Sequence, residues 1–524
     1  MANGKFIFKA TLLIAFFILM SRVLGLVRES VIASLLGTTY LADAYQMSLK
    51  APNMLFTVVC GALATVIVPV FTEYVSRGEK REAWKLFNTV IALVILFFLL
   101  TSVIGIIGAP LLVKLVAPGF TGATRELTVE LWRIILPWMI FASLASLYTQ
   151  LLNANNIFGL PAFSSSVNNI FIIIFALTLG RLYGVQGLTL GTMLAMAAMA
   201  LVQLPALYKA GFRLNWRLDL RHPGLRKIWR LAIPSFFSLS VTQANVFVTF
   251  VLASWLTVGS VASLGYSDKL IQFSIGLLVT ALTTAVFPTI SRLAAEKKME
   301  AFAATLLGAL KIVFAGIIAA SVGLVTLSHP IVHFVYGSGA FDQKSVEMTT
   351  TALICYAVGT VGFAAGLLLT RGFYSLQDTR TPLKISIVQV LINLGLSLLL
   401  IGVLQHAGLA LASSLANLAY MGLLMWYLEK KIPGLYRDGL WKFILAVLIA
   451  AGLMAAVCYM AGGALAGLAQ GKIGLAIQVV LAGSAGLAVF VAAFFVMRVE
   501  EAYVLWRSIR NALRERRRDW GTGR

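Results

Sequence analysis

Long apolar segments separated by short polar ones make up almost the whole chain. Each is about 20 residues or longer, the length that an α-helix needs to cross the hydrocarbon core of a bilayer. The pattern predicts an all-α polytopic membrane protein with fourteen transmembrane helices. They cover residues 9–34, 42–72, 84–112, 128–152, 161–181, 186–208, 229–257, 262–291, 304–328, 346–373, 382–403, 408–428, 440–463 and 473–497.

Composition supports a membrane-embedded chain: 60% of the 524 residues are hydrophobic and only 12% are charged. These values lie outside the range of soluble proteins. The first apolar segment, which follows Lys5 and Lys9, also resembles a secretory signal peptide. No small-x-small cleavage site follows it, and the sequence continues through Ser21 and Arg22 into more helix. We therefore expect it to remain as the first transmembrane helix.

Positive charge is concentrated in every second loop, as expected for loops on the cytoplasmic side. The loop after helix six contains seven basic residues: Lys209, Arg213, Arg217, Arg221, Arg226, Lys227 and Arg230. Both termini are therefore predicted to be cytoplasmic, and most of the net charge of +22 reflects topology. The tail from Arg507 to Arg518, with Trp506 and Trp520, predicts a helix lying on anionic membrane lipids.

Other chemistry is sparse in the sequence. The three cysteines, Cys60, Cys355 and Cys458, are isolated in apolar segments and odd in number, so we predict neither disulfide nor metal roles for them. The histidines show no ligand spacing, and no ATP-binding Walker motif is present. We predict no enzyme activity and no cofactor. A nucleic-acid role for the tail is an open alternative, but no nucleic-acid module accompanies it.

An internal repeat organises the chain. Lys50 and Lys269 are 219 residues apart, and offsets of 219 to 221 also relate Pro69 to Pro288, Pro110 to Pro330 and Pro161 to Pro382. Six helices per repeat give both copies the same orientation in the membrane, as in parallel transporter repeats. The predicted domains are an N-lobe (1–208), a basic linker (209–230), a C-lobe (231–430), helices thirteen and fourteen (431–497) and a basic tail (498–524).

Among the basic residues within the predicted transmembrane helices, we single out four: Arg22, Arg28, Lys50 and Lys269, whereas Arg133 and Lys311 are expected at the membrane interface. A charge at this depth costs at least ~2.5–3.5 kcal/mol, so such residues usually face a protein-lined, wet cavity. Together they predict a site for an anionic ligand. The alternative is that their long side chains reach the membrane interface, and it is strongest for Lys269, near a predicted helix end.

Residues seven apart lie on nearly the same face of a helix. This spacing aligns Ser21 with Arg28, Arg22 with Glu29, and Asp43 with Lys50. We therefore expect Glu29 and Asp43 to neutralise the cations in part, and Ser21, Gln46 and Asn53 to offer neutral hydrogen bonds. The structural or hinge candidates are Gly25, Pro52, Pro161 and Pro382: the glycine allows close helix approach or a bend, and the repeated prolines are alternatively markers of helix ends.

Several motifs carry a family resemblance. SRVLGLVRES, LADAYQMSLKAPNM, LVAPGF, LNANNIFGLPAF, YSDK and FYSLQDTRTPLK occur in order over roughly 420 residues. The chain resembles the MurJ (MviN) family of lipid II flippases, within the multidrug/oligosaccharidyl-lipid/polysaccharide exporter superfamily. The resemblance implies a two-lobed fold of fourteen helices and transport of lipid II, a peptidoglycan precursor, across the bacterial cytoplasmic membrane by alternating access. It also implies contact with other cell-wall synthesis proteins.

The resemblance assigns Arg22, Arg28, Asp43 and Lys50 to charged positions of a central cavity, with Lys269 where many members have arginine. It also implies a lipid groove formed by helices thirteen and fourteen. This chain departs from the family at Phe56 and Thr57, which replace an Arg-Arg pair.

A second departure concerns a sodium site of some family members, which uses two aspartates. The matching positions here are Thr249 and Ser397, beside Asn393. They are the only metal candidates in the sequence, and because they carry no carboxylate we predict no metal site and assign no coupling ion. Two other functions stay open. A polysaccharide-lipid flippase would share a cationic cavity, and a drug/cation antiporter would share the fold but favour unpaired carboxylates.

Overall fold

The computed structural model describes residues 2–215, 218–436, 439–467 and 471–497. These residues form seventeen helices and no strand, which confirms the all-α prediction. The helices are α1 (Ala2–Leu36), α2 (Tyr40–Ser76), α3 (Lys80–Ile107), α4 (Ala109–Val116), α5 (Gly122–Ile135), α6 (Trp138–Ala154), α7 (Gly159–Leu177), α8 (Leu179–Leu201), α9 (Leu204–Lys209), α10 (Pro223–Ala253), α11 (Ser260–Ala295), α12 (Met299–Thr326), α13 (Ser328–Tyr336), α14 (Gln343–Ser375), α15 (Arg380–Lys431), α16 (Leu440–Ala466) and α17 (Gly471–Val496).

Ten helices of the described residues are long and apolar enough to cross a membrane, and the pair α5 and α6, bent by 43°, makes an eleventh. All fourteen predicted segments fall on helices, sometimes across a short break. The helix α15 changes direction at Gln405, between the eleventh and twelfth predicted segments. The polytopic membrane fold is thus confirmed, whereas the count of fourteen spans stays a prediction.

The backbone repeats the offset seen in the sequence. Six of the residues in the left-handed region form pairs: Gly78 with Lys297, Asn156 with Gln377, and Gly184 with Gln405. The members of these pairs are 219, 221 and 221 residues apart. Such conformations are uncommon for residues other than glycine, so their recurrence at one spacing is specific. It supports an ancestral duplication.

The chain forms two compact units. The first comprises Met1–Lys269, Val335–Thr349 and Val390–Leu409, and in it α1 packs on α7 and α2 packs on α10. The second comprises Leu270–Phe334, Thr350–Gln389 and the described residues from 410 onward; there α16 packs on α12 and α17. All the candidate site residues except Pro382 lie in the first unit.

Prolines in three of the helices differ in position and hence in effect. Pro161 and Pro382 occupy the first turns of α7 and α15, where a missing N–H breaks no helix hydrogen bond. These two prolines therefore lie in helix first turns, which favours the structural alternative, that they mark helix ends, over a hinge role. Pro52 lies in the interior of α2 and is buried, so it remains a hinge candidate.

Candidate functional site

Arg28 lies in the second half of α1 and is held from two sides. Its Nη1 donates to Asn169 Oδ1 of α7 at 3.0 Å. Its Nη2 forms an ion pair with the buried carboxylate of Glu29. The Nε–H of Arg28 is also buried, and it has no hydrogen-bond partner among the described residues. The guanidinium therefore keeps one buried donor for a further acceptor.

Two lysines and an aspartate extend this arrangement. Lys50 of α2 places its Nζ 3.7 Å from the ring centroid of Phe250 on α10, a cation–π contact. Lys50 is also within electrostatic range of Glu29 and of Asp268 and Lys269 on α11. We call Arg28, Glu29, Lys50, Asp268 and Lys269 the cation cluster. The cluster has three cations and two carboxylates. Of its three cations, Arg28 alone forms an ion pair with a described residue.

Asn169 organises the α1 side of the site. Its Nδ2 donates to the backbone oxygen of Ser21 at 3.0 Å and to Ser21 Oγ at 3.4 Å, while its Oδ1 accepts from Arg28. A Cβ at Gly25 would lie 3.7 Å from Asn169 Nδ2, so this glycine faces the same amide. Ser21 and Gly25 are thus helix-packing partners of Asn169, whose amide orients Arg28.

The carboxyl group of Asp43 does not turn toward Lys50. Its Oδ2 accepts from Gly259 N–H at 2.6 Å and its Oδ1 from Ala262 N–H at 2.8 Å, at the start of α11. The first N–H groups of a helix have no partner within the helix, and a buried carboxyl satisfies them well. Asp43 therefore caps α11, which corrects the expectation of a charge that neutralises Lys50.

The other predicted ligand residues differ in exposure. Gln46 is buried against α11, where a Cβ at Gly265 would lie 3.2 Å from Gln46 Cδ. Asn53 is exposed, and its Oδ1 accepts from Thr57 at 3.4 Å. Arg22 is exposed on α1, on the helix face that it shares by spacing with Glu29. The structure thus brings together Arg28, Glu29, Lys50 and Lys269, while Arg22 and Asn53 are exposed and stay predictions as site residues.

The loops beyond the cluster interlock at the predicted outer ends of their helices. The loop between α1 and α2 meets the loop between α13 and α14, where Ala340 N–H donates to Ser34 O at 2.8 Å and Thr38 Oγ1 lies 2.8 Å from Ser345 Oγ. A Cβ at Gly259 would lie 2.4 Å from Thr38 O, so only glycine permits this approach. With the Asp43 cap, these contacts form what we call the outer closure.

The polar group at Thr249, Asn393 and Ser397 is neutral. Asn393 Nδ2 donates to Asn245 Oδ1 at 2.5 Å and to Thr249 Oγ1 at 3.3 Å, and Ser397 Oγ lies 3.4 Å from Asn393 Oδ1. The described residues contain no cluster of His, Cys, Asp or Glu suited to a metal ion. Because its side chains bond to one another and carry no charge, this group does not fit a sodium site built on two aspartates.

Two residues of the site escaped the sequence analysis. Asn169 stands in the apolar run of α7, where an amide needs a partner, and this was an available signal. Asp268 directly precedes Lys269, and it is a carboxylate inside a predicted span.

Comparison with known proteins gives consistent matches. The model of the family described as "Lipid II flippase MurJ" matches residues 32–480. The lipid II flippase MurJ of Burkholderia cenocepacia is 31% identical over 464 residues, which cover 86% of this chain and 89% of that protein.

Solved structures agree with this match. One described as "Lipid II flippase MurJ, inward closed conformation" matches with a TM-score of 0.79 and 26% identity, over 93% of this chain and all of that one. An inward-facing multidrug resistance transporter of the MATE family gives a TM-score of 0.69 at 17% identity, over 80% of this chain and 96% of that one. The latter likeness concerns the fold alone.

Proposed function

Because the chain belongs to the MurJ family of lipid II flippases, we propose that it moves lipid II from the cytoplasmic to the outer leaflet of the bacterial cytoplasmic membrane. The transported precursor then serves cell-wall synthesis. Transport requires no covalent chemistry, so we propose that the protein is not an enzyme.

The observation that carries the proposal is the half-buried Arg28, whose buried Nε–H has no partner among the described residues, beside Lys50 and Lys269. Lipid II presents a diphosphate and peptide carboxylates, and a guanidinium binds such groups with strong, oriented hydrogen bonds. The lysines act as point charges on the same headgroup, while the polyprenyl tail stays in lipid. An excess of cations over carboxylates fits an anionic substrate better than the cationic drugs of an antiporter.

We propose that the outer closure keeps the site shut on the outer side during loading. Two six-helix lobes, residues 1–208 and 231–430, would then rock so that the closure opens and the headgroup leaves outward. An inside-negative potential favours outward movement of a net-anionic loaded site by ~2.3 kcal/mol per charge per 100 mV. Loss of the potential without any loss of flipping in vesicles would exclude this energy source.

Complementation of a bacterium depleted of its lipid II flippase tests the function. Wild type should restore growth, while Arg28→Ala, Lys50→Ala and Lys269→Ala should fail or rescue weakly at equal expression. Arg181→Ala, which removes an exposed cation at the start of α8, is the matched control and should rescue fully.

Each outcome has a distinct meaning. Failure of the wild type to rescue would favour the polysaccharide-lipid flippase instead. Full rescue by Lys269→Ala would show that its side chain reaches the membrane interface and takes no part in the site. The basic tail lies outside the described residues, so its predicted contact with anionic lipid rests on sequence alone.

A further inference from the structure

The segment between α9 and α10 has a strict alternation that the transport site does not use. From 213 to 221, the odd positions are polar and the even positions are apolar. The described members of the apolar set, Leu214, Leu218 and Leu220, are 45%, 51% and 63% exposed. Trp216 and Arg217 continue the pattern but lie outside the described residues. In an extended chain, this period puts the apolar side chains on one face.

The segment is fixed to α3 by its backbone. Asn88 Nδ2 donates to Arg213 O at 3.0 Å, and Asn215 N–H donates back to Asn88 Oδ1 at 3.0 Å. Further along, Asp219 N–H donates to Thr89 Oγ1 at 3.2 Å. Both α3 side chains are buried beneath the segment. Three hydrogen bonds therefore hold the segment on α3: two from Asn88 near its start and one to Thr89 near its end.

The attachment points give the depth of the segment in the membrane. α3 has 28 residues and is about 42 Å long, whereas the hydrocarbon core is about 30 Å thick. Asn88 is about 12 Å from the start of α3. This distance equals the length by which the helix exceeds the thickness of the hydrocarbon core. Beyond Thr89 the helix is apolar from Val90 to Leu100. With the exposed apolar end of α3, Ile107, placed at the outer edge of the hydrocarbon, Asn88 and Thr89 fall at its cytoplasmic boundary.

We propose that the described residues 213–215 and 218–221 act as an amphipathic strap that docks on the cytoplasmic leaflet, with Leu214, Leu218 and Leu220 in the acyl region. Charge complementarity identifies the occupant of this face as anionic phospholipid. The side chains of Arg221, Arg226 and Arg230 are exposed beside the strap and can meet lipid phosphates. Arg213 differs from these three, because its Nη1 donates to Tyr208 O and Phe212 O. Its guanidinium is therefore held at the C-terminal end of α9.

A matched pair of spin labels tests the depth and the alternation. Leu220→Cys and Arg221→Cys are adjacent and both exposed, in the turn that His222 N–H closes on Asp219 O at 3.3 Å; the first belongs to the apolar set and the second to the polar set. Each variant is labelled with a nitroxide in nanodiscs of phosphatidylglycerol and phosphatidylcholine. Labelled wild type gives the background of the native cysteines, of which Cys60 and Cys458 are buried.

The label at 220 should collide more often with oxygen, which concentrates in lipid, than with a water-soluble nickel chelate. The label at 221 should show the reverse ratio. In phosphatidylglycerol, Arg221→Gln should reduce the oxygen-to-nickel ratio at 220 about two-fold, with little change in pure phosphatidylcholine. A water-exposed label at 220 in both lipids would overturn the proposal and leave the face for a soluble protein partner. Equal ratios at 220 and 221 would also overturn it.

Discussion

Replacing Asp43 by Asn should loosen the outer closure without changing the size of the side chain. Asp43 accepts two buried backbone N–H groups of α11, at 2.6 and 2.8 Å. An amide can accept from one of them, but its NH2 then faces the other. A buried donor without a partner costs about 1–3 kcal/mol. If the contact is absent in the outward-open state, the equilibrium shifts toward opening by about 5- to 150-fold.

Hydrogen exchange of the purified protein reports this change directly, because amides at the closure exchange only when it opens. The peptide that covers Gly259 and Ala262 should exchange faster in Asp43→Asn by about the same factor. Asp43→Ala, which removes both acceptors, should exceed it. The control is Glu73→Gln, at the other end of α2, where the carboxylate pairs with Arg77 and Lys227. Unchanged exchange of this peptide in Asp43→Asn would refute the role of the cap in the closure.

Three further predictions concern the other parts of the molecule. Asn169→Ala removes the amide that orients Arg28, so we expect flipping in proteoliposomes to fall about ten-fold; Asn168→Ala is the control, and an equal loss in both would point to general damage. Replacing sodium by potassium on both sides should leave the rate unchanged, because Asn245, Thr249, Asn393 and Ser397 form a neutral network; a several-fold loss would contradict this. Burial raises the pKa of Asp378, but hydrogen bonds from Lys431 and Thr381 outweigh it and lower the pKa to about 2. Ionised Asp378 therefore stabilises the fold above its unfolded pKa of about 3.9, and this contribution is lost as pH falls toward about 2. Since Lys431 is well exposed, we expect Asp378→Asn to cost about 1 kcal/mol or less at neutral pH, with a melting-temperature difference from wild type that shrinks below about pH 4; a difference that grows with acid would refute the assignment.

The sequence was most informative where the membrane itself imposes the pattern. Apolar length located the helices, and the cost of intramembrane charge singled out Arg28, Lys50 and Lys269, which the structure places in one cluster with Glu29. Helical spacing was less informative about partners, because it defines a face of one helix but not the neighbour that the face meets. Asp43 shares a face with Lys50 by spacing, yet its carboxyl reaches the backbone of α11.

Asn169 was missed for the same reason. Its partners Ser21 and Arg28 lie about 140 residues away in sequence, and only the packing of α7 on α1 makes the contact. The prolines show a related difficulty, since Pro52 and Pro161 look alike as sequence but lie in a helix interior and a helix first turn. Whether a proline can bend a helix depends on its distance from the helix start, and the sequence places that start only to within a few residues.

The paired breaks at Gly184 and Gln405 bear on the history of the protein. Each break stands three residues before a glycine that packs against a backbone carbonyl: Gly187 against Leu179, and Gly408 against Leu400. The first break uses glycine, which adopts the left-handed conformation at no cost, but the second uses glutamine. The bent hairpin must therefore predate the duplication, since two independent origins would not retain one geometry with unlike residues. Backbone conformation has outlasted side-chain identity here, and it offers a way to align the halves of distant relatives after their sequences have diverged.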